Sequence, residues 1–187
     1  MSLPASPGLF RSLVVSLRPQ QWVKNLFVFA GLVFAQQLFT PRFWPALTAF
    51  ALFCLLSGGI YLLNDVADYE KDRLHFRKRF RPVASGTLGR GTALGVGVGL
   101  LSGGLALSFW FSLPFGIVAL SYVVLLTLYS AGLKHLVILD VLTVAIGFVL
   151  RAVAGAVAID VEISGWLLIC TVLIALFLAL GKRRHEL

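Results

Sequence analysis

Residues 64–72 read NDVADYEKD and directly follow an apolar run over residues 43–63. If that run continues as a helix, at about 100° per residue, then Asp65, Asp68 and Asp72 lie within about 60° of one another. Carboxylates this close repel one another strongly unless a cation lies between them. The spacing therefore predicts an acidic stripe that needs a positive charge.

The stripe has the composition of a magnesium site. Asn64 lies about 40° beyond Asp68 and adds an amide oxygen, whereas Glu70 points to the other side of the helix. Hard oxygen ligands suit Mg²⁺, which keeps some waters and accepts phosphate oxygens from a substrate. The alternative is a solvated helix end that is acidic by chance, but a place at the mouth of a membrane helix favours the metal. We predict that the ligands are Asn64, Asp65, Asp68 and Asp72.

The composition excludes a soluble domain. Of the 187 residues, 59% are hydrophobic and 13% are charged, and the mean hydropathy is +0.93. Apolar runs of about 20 residues without alternation predict membrane-spanning helices, so the fold class is an all-α polytopic membrane protein. We treat residues 1–187 as a single transmembrane domain, in which Gly95, Gly99 and Gly103 form a close-packing helix face. Six spans are expected, at residues 24–40, 43–65, 91–111, 114–131, 136–158 and 163–181.

The cations predict the orientation of these spans. Of the 16 Lys and Arg residues, all but Arg42 and Arg151 fall in the terminal segments, in the loop that follows the acidic stripe, or in the loop at Lys134. Basic residues accumulate on the cytoplasmic side of a membrane. We therefore expect a protein of the inner (plasma) membrane with both termini and the acidic stripe in the cytoplasm.

Two basic segments admit two interpretations each. Residues 77–82 read RKRFRP, and this cluster either neutralises phosphate oxygens of a metal-bound substrate or serves topology and anionic lipid. Residues 18–25 read RPQQWVKN. They form either an interfacial anchor, with a Trp between cations, or a phosphate-facing entry to the first span.

Two ionisable residues lie inside the fifth expected span. Asp140 and Arg151 are three helical turns apart, about 16 Å along the axis, so they cannot pair directly and each needs another partner. Arg151 has either a functional role or a purely structural one, bonded to carbonyls of a neighbouring helix. Six spans leave one side of the bundle open, which would expose both side chains to lipid. We therefore expect a homo-oligomer or a further polypeptide to complete the site, sequence beyond Leu187 to be missing, and an isolated monomer to be inactive.

Three motifs carry a resemblance to a known family. The sequence contains Asn-Asp-x-x-Asp-x-x-x-Asp at residues 64–72, Arg-Pro-x-x-Trp-x-Lys-Asn at 18–25 and Arg-Pro-x-x-Ser-Gly at 81–86. Together these patterns resemble those of the UbiA-type intramembrane prenyltransferase superfamily. Further segments are similar to its phosphoribosyl-transferring branch, namely Lys78 to Pro82, Tyr129-Ser130, Leu133-Lys134, Leu139-Asp140, Gly147 to Ala152 and Gly181 to Leu187.

The resemblance implies a partial version of a nine-helix bundle and a reaction. A phosphoribosyl group would pass from phosphoribosyl diphosphate to a polyprenyl (decaprenyl) phosphate in the membrane, with Mg²⁺ as cofactor, in cell-wall precursor synthesis. The implied catalytic residues are Asp65, Asp68, Asp72, Lys134 and Arg151. The implied substrate-binding residues are Arg18, Trp22, Lys24, Asn25, Asn64, Lys78, Arg79, Arg81, Tyr129, Asp140, Lys182 and Arg183.

The chain departs from the superfamily pattern at its end. After the sixth expected span, where a second aspartate motif is usual, residues 182–184 read KRR. These cations either bind the separate phosphate of the donor or only anchor the last span. One alternative is prenyl transfer from a polyprenyl diphosphate to an aromatic acceptor. A second is a non-enzymatic subunit that binds or transports lipid phosphate. No nucleic-acid partner is expected.

Overall fold

The computed structural model describes residues 8–131, 137–163 and 165–184, and its regular structure there is helical, without strands. This confirms the all-α fold class. The elements in chain order are α1 (Leu9–Ser16), a 3-10 segment (Pro19–Phe29), α2 (Ala30–Phe34), α3 (Phe43–Ala67), α4 (Tyr69–Leu74), a 3-10 turn (Lys78–Phe80), α5 (Arg90–Phe111), α6 (Leu113–Ala131), α7 (Val137–Ala158) and α8 (Gly165–Arg184).

Four helices in the described part of the chain are long and apolar enough to cross a membrane. Their mean hydropathy lies between 1.7 and 2.2, and they correspond to the second through fifth expected spans. In α8 the apolar part, Leu168–Phe177, is shorter. The structure therefore confirms a polytopic helical membrane protein but not the count of six spans. The four are Phe43–Ala67, Arg90–Phe111, Leu113–Ser130 and Leu139–Ala158.

The first expected span, residues 24–40, is not one regular helix, so the structure does not confirm it as a membrane-spanning helix. The chain there is wound as the 3-10 segment followed by α2, which is five residues long. Gln36 ends α2 with a left-handed backbone (φ 55°), and the N–H of Gln37 donates to the Leu32 carbonyl at 3.0 Å. A 3-10 helix rises about 2 Å per residue against 1.5 Å for an α-helix, so the segment covers more depth per residue than expected.

The chain divides into two compact units, and unit 1 comprises residues up to Val23 together with Leu55–Gly103. Its core contains Leu62, Val83, Leu88 and Ala93. Burial of these side chains, with half-buried neighbours such as Leu17 and Val66, stabilises the turn region that follows α4.

The packing of α5 against α3 uses a different glycine from those predicted. A Cβ on Gly97 would lie 2.9 Å from Cδ2 of Leu63, whereas a Cβ on Gly95, Gly99 or Gly103 would meet no heavy atom from elsewhere in the described part of the chain within 4 Å. Within the described part of the chain, these three glycines therefore do not form a close-packing face, which remains a prediction. Their spacing of four residues is regular, but the leucines of α3 lie against the other side of α5.

Unit 2 comprises residues 24–54 and 104–187. Phe53 lies at its centre, with its ring 4.9 Å from that of Tyr122 and 5.9 Å from that of Phe115. The 3-10 segment presses its backbone against α7, because a Cβ on Gly155 would fall 1.7 Å from the carbonyl oxygen of Val28. Only glycine fits at this point, which explains how a chain without a regular helix there remains closely packed.

Candidate active site

The acidic stripe lies at the junction of α3 and α4. α3 ends at Ala67, and Asp68 is at the junction with φ −87° and ψ 8°. Helix-like bonding continues across it, because the N–H of Asp68 donates to the Asn64 carbonyl at 2.9 Å and that of Asp72 to the Asp68 carbonyl at 2.8 Å. Asp65 and Asp72, two turns apart, therefore remain on one side of the chain.

Arginines join these two carboxylates. Nη1 of Arg81 donates to Oδ1 of Asp65 at 3.2 Å and to Oδ2 of Asp72 at 2.6 Å, and Nη2 of Arg18 donates to Oδ1 of Asp65 at 2.5 Å. The carboxylate side chains are 2–3% exposed, whereas each arginine side chain is 26% exposed. Two negative and two positive charges balance, so burial of this carboxylate–arginine cluster (Arg18, Asp65, Asp72 and Arg81) does not leave a net charge.

Arg18 reaches the cluster from a strained backbone. It has φ 52°, and it precedes Pro19, which itself restricts the backbone of the residue before it. Such a conformation in a residue other than glycine costs about 1 kcal/mol or more and persists where surrounding contacts fix it. Those contacts are the ion pair to Asp65 and the ring of Tyr61, whose centroid lies 5.0 Å from the guanidinium carbon.

Tyr61 was not predicted as a site residue, although its position contains a signal. It precedes Asp65 by four residues in α3, so the two side chains share a helix face. An aromatic ring beside a predicted acidic stripe is a surface on which an arginine can stack.

The structure brings two of the predicted metal ligands together rather than four. Among the described residues, no group of three His, Cys, Asp or Glu side chains could hold a metal ion. The other two predicted ligands, Asn64 and Asp68, are half-buried. The donor chemistry still fits a divalent cation, because Asp65 and Asp72 already share one cationic nitrogen, and Mg²⁺ typically uses one or two carboxylates.

Three further predicted residues of unit 1, Trp22, Lys78 and Arg79, are not members of these ion pairs. Lys78 and Arg79 are exposed, and the Arg79 guanidinium lies over the rings of Phe76 and Phe80, at 5.8 and 4.9 Å. The indole nitrogen of Trp22 is buried and has no hydrogen-bond partner in the described part of the chain. An unsatisfied buried donor of this kind is uncommon in native proteins.

In unit 2, Arg151 is the centre of a second polar cluster. Its Nε donates to Oδ1 of Asn25 at 2.9 Å, its Nη1 to the carbonyl of Gly147 at 2.8 Å, and its Nη2 to the hydroxyl of Tyr122 at 2.6 Å. Asn25 in turn donates from Nδ2 to Sγ of Cys54 at 3.3 Å. We call Asn25, Cys54, Tyr122, Gly147 and Arg151 the Arg151 cluster.

The surroundings of Arg151 contradict the expectation that it faces lipid. Arg151 and Asp140 are each 6% exposed within this chain, and the rings of Tyr122 and Phe148 lie 4.8 and 5.4 Å from the guanidinium carbon. Side chains from three segments of unit 2 cover the guanidinium without a second polypeptide. The expected exposure was inferred from the number of spans alone, which does not consider side-chain packing.

Asp140 has its own partner, as the spacing to Arg151 required. The Tyr129 hydroxyl donates to Oδ1 of Asp140 at 2.7 Å. Tyr122 was missed in the sequence, yet it lies seven residues before Tyr129, two turns away on the same face of α6.

Of the other predicted residues, Lys24 is exposed. The predictions for Lys134 and for the side chains of Lys182 and Arg183 lie outside the described residues.

Comparison with known proteins gives consistent relatives. The sequence is 40% identical to the decaprenyl-phosphate phosphoribosyltransferase of Corynebacterium glutamicum over 185 residues, which is 96% of this chain and 56% of that protein. Identity to the proteins of the same name from Mycolicibacterium smegmatis and Mycobacterium tuberculosis is 38% and 34%, again over 96% of this chain and over 58% and 61% of theirs. The chain thus spans about three fifths of the length of these relatives.

The fold has a counterpart among solved structures, in a study of digeranylgeranylglyceryl phosphate synthase in membranes. The TM-score is 0.77 at 19% identity, with 93% of this chain and 61% of the other covered. A family model for the UbiA prenyltransferase family matches residues 25–183. The match extends over most of the sequence, and the chain therefore belongs to the UbiA prenyltransferase family.

Proposed function

We propose that this chain forms the donor site of a Mg²⁺-dependent transferase that moves a 5-phosphoribosyl group from phosphoribosyl diphosphate to a polyprenyl phosphate in the membrane. The observation that carries the proposal is the carboxylate–arginine cluster at the end of α3. It combines two carboxylates for a metal ion with two guanidinium groups for phosphate oxygens. The names of relatives at 34–40% identity support the choice of donor and acceptor.

The residues have separate roles in this proposal. Asp65 and Asp72 would hold Mg²⁺, which supplies charge neutralisation to the departing diphosphate when it is bound. Arg18 and Arg81 bind diphosphate oxygens through paired N–H donors, and they orient the donor over the end of α3. Because both arginine side chains are partly exposed, they can reach a ligand that arrives from water.

The reaction needs no general base from the protein. The bond between the ribose C1 and the diphosphate oxygen breaks, and its electron pair leaves with the diphosphate. An oxygen of the polyprenyl phosphate, already ionised at neutral pH, forms the new bond to C1. Arginine donors that face the departing oxygens stabilise the charge that develops on them. The buried indole N–H of Trp22 is a donor available to a substrate oxygen.

The proposed setting is the plasma membrane, with the cluster facing the cytoplasm, where a soluble phosphoribosyl diphosphate can reach it. The cation distribution supports this orientation. We further propose that Lys134, Lys182 and Arg183 bind the donor's 5-phosphate, which lies away from the diphosphate. The exposed side chains of Lys78 and Arg79 are additional candidates for this contact.

A direct transfer assay tests the function. Membranes from a host without the activity, in which a full-length protein that carries this sequence is produced, are incubated with radioactive phosphoribosyl diphosphate, polyprenyl phosphate and Mg²⁺. We expect label in the lipid extract and none when Asp65→Asn replaces the wild-type chain or when the metal is chelated. Retention of labelled donor by the purified chain, displaced by unlabelled donor, provides a second readout that does not require turnover.

The competing family activity gives a different result in the same membranes. If a labelled polyprenyl diphosphate is transferred to an aromatic acid, and phosphoribosyl diphosphate is neither bound nor consumed, then the assignment of the donor is wrong. Binding of polyprenyl phosphate that is indifferent to chelation, with no transfer, would instead favour a lipid-phosphate binding subunit.

A further inference from the structure

We propose that Arg81 holds the place of the divalent cation in the ligand-free chain, so that metal and diphosphate enter the site together. The inference rests on the proposed function, because it takes Asp65 and Asp72 as the metal ligands. A single nitrogen, Nη1 of Arg81, bonds to both carboxylates at 3.2 and 2.6 Å. A guanidinium group therefore occupies the space between the two carboxylates that would hold the metal.

The charge balance opposes entry of the metal alone. The carboxylate–arginine cluster is neutral, and its two carboxylates are almost fully buried. A divalent cation that joined it without an anion would add two positive charges beside two guanidinium groups in a poorly hydrated place. Free Mg²⁺ or Mn²⁺ must therefore either displace Arg81 into water or remain outside.

A diphosphate removes this obstacle. Its oxygens accept charge-assisted hydrogen bonds from Arg81 and Arg18, and this releases Asp65 and Asp72 to the metal. The metal and the diphosphate then raise each other's affinity by the same factor, as thermodynamic linkage requires. When substrate binds, each carboxylate and each guanidinium group of the cluster therefore exchanges one partner of opposite charge for another.

The backbone around Arg81 permits a movement of the side chain alone. Arg81 follows the 3-10 turn and has extended dihedral angles (φ −63°, ψ 144°). The next residue, Pro82, is fixed by its carbonyl, which accepts from the N–H of Leu88 at 2.9 Å and from the Thr87 hydroxyl at 3.2 Å. The anchored backbone and the partly exposed guanidinium make Arg81 the mobile partner, whereas both carboxylates belong to helices.

Binding measurements on the purified chain in nanodiscs of zwitterionic lipid test the inference. Mn²⁺ is the metal probe, measured by loss of the free-ion EPR signal, and labelled inorganic pyrophosphate is the anion probe. For the wild type we expect Mn²⁺ alone to bind weakly and to tighten pyrophosphate binding at least tenfold. For Arg81→Gln we expect Mn²⁺ alone to bind about tenfold tighter and pyrophosphate to bind more weakly.

A matched control is available in the same unit. Arg90 forms an exposed ion pair with Glu70 at 3.9 Å, so Arg90→Gln also removes one arginine charge, but not from the cluster. It should leave both affinities within twofold of wild type. Arg81→Lys retains a cation that is less suited to bridging two carboxylates, so we expect an increase of about threefold in Mn²⁺ affinity. The measurements on the wild-type chain test the inference even if a variant does not fold.

The possible outcomes separate the inference from the proposed function. Mn²⁺ affinity in a folded Arg81→Gln chain that is equal to or weaker than wild type overturns the inference alone. So does tight Mn²⁺ binding by the wild type that pyrophosphate does not influence. If the wild type binds neither Mn²⁺ nor pyrophosphate, separately or together, then the proposed function fails as well.

Discussion

The two polar clusters of this chain handle buried charge in opposite ways. In the carboxylate–arginine cluster, equal numbers of positive and negative groups face one another, and the arginine side chains are 26% exposed. In the Arg151 cluster, a single cation is 6% exposed and is surrounded by an amide, a hydroxyl, a carbonyl and two aromatic rings. No carboxylate among the described residues forms an ion pair with it.

The difference indicates which cluster can change its partners. An arginine that leaves a carboxylate for a diphosphate exchanges one anion for another, and its partial exposure provides a route. Arg151 would have to leave three neutral acceptors for an apolar environment. Its charge and the three acceptors would then be buried without hydrogen bonds, which is energetically costly. We infer that the first cluster is built for ligand exchange and the second for holding the 3-10 segment, α6 and α7 in one arrangement.

The largest expected contrast is in access from water. Ser85 is exposed in the loop after Arg81, whereas Cys54 in the Arg151 cluster is buried. In a Cys170→Ala background, a cysteine at Ser85 should react fully with an impermeant thiol reagent in inverted membrane vesicles and not in intact cells. Cys54 alone should remain unlabelled in both. Labelling of Ser85→Cys in intact cells would reverse the proposed orientation, and labelling of Cys54 would remove the contrast in access.

The next contrast concerns ligand binding. Asp65→Asn removes a direct metal ligand and leaves Arg18 and Arg81 without one of their anions, so Mn²⁺-dependent pyrophosphate binding should fall by about a hundredfold or more. Glu70→Gln changes a 78%-exposed carboxylate on the other side of the chain and should change binding by less than twofold. Isothermal titration calorimetry of both variants measures this difference. Equal losses of affinity would show that the total negative charge of residues 65–72, rather than the carboxylate–arginine cluster, determines binding.

Composition and periodicity were enough to predict the fold class and the approximate position of the site. Runs of apolar residues define α3, α5, α6 and α7, because each of these segments buries or exposes apolar surface along its whole length. The acidic motif marked the end of α3 by its charge alone. The broken first span was not predictable in the same way, because its path depends on the contact between Val28 and Gly155, which are far apart in sequence.

The partners inside the site were also beyond sequence patterns. Helical spacing placed Asp65 and Asp72 on one face, but it does not predict the path of the loop that brings Arg81 into contact with both of them. Helical spacing also does not predict the left-handed backbone conformation that directs Arg18 toward Asp65. For Arg151, the spacing to Asp140 excluded a direct pair, and the partners observed, Asn25 and Tyr122, come from segments 126 and 29 residues away.

The smallest of the expected effects distinguishes charge from shape in the Arg151 cluster. Arg151→Met removes three hydrogen bonds, each worth about 0.6 kcal/mol within a membrane, and should lower the free energy of unfolding by about 2 kcal/mol. Arg151→Lys retains the charge, but an ammonium group lacks the planar fork that reaches Asn25, Gly147 and Tyr122 together. It also keeps the cost of burying a cation, so we expect it to be at least as destabilising as Arg151→Met.

Reversible unfolding in mixed micelles, followed by circular dichroism, gives the free energy of unfolding of both variants, with Arg42→Met as a control at an exposed arginine. If Arg151→Lys instead restores wild-type stability, then the positive charge itself is what the cluster requires, and Arg151 belongs with Arg18 and Arg81 as a group that awaits an anion.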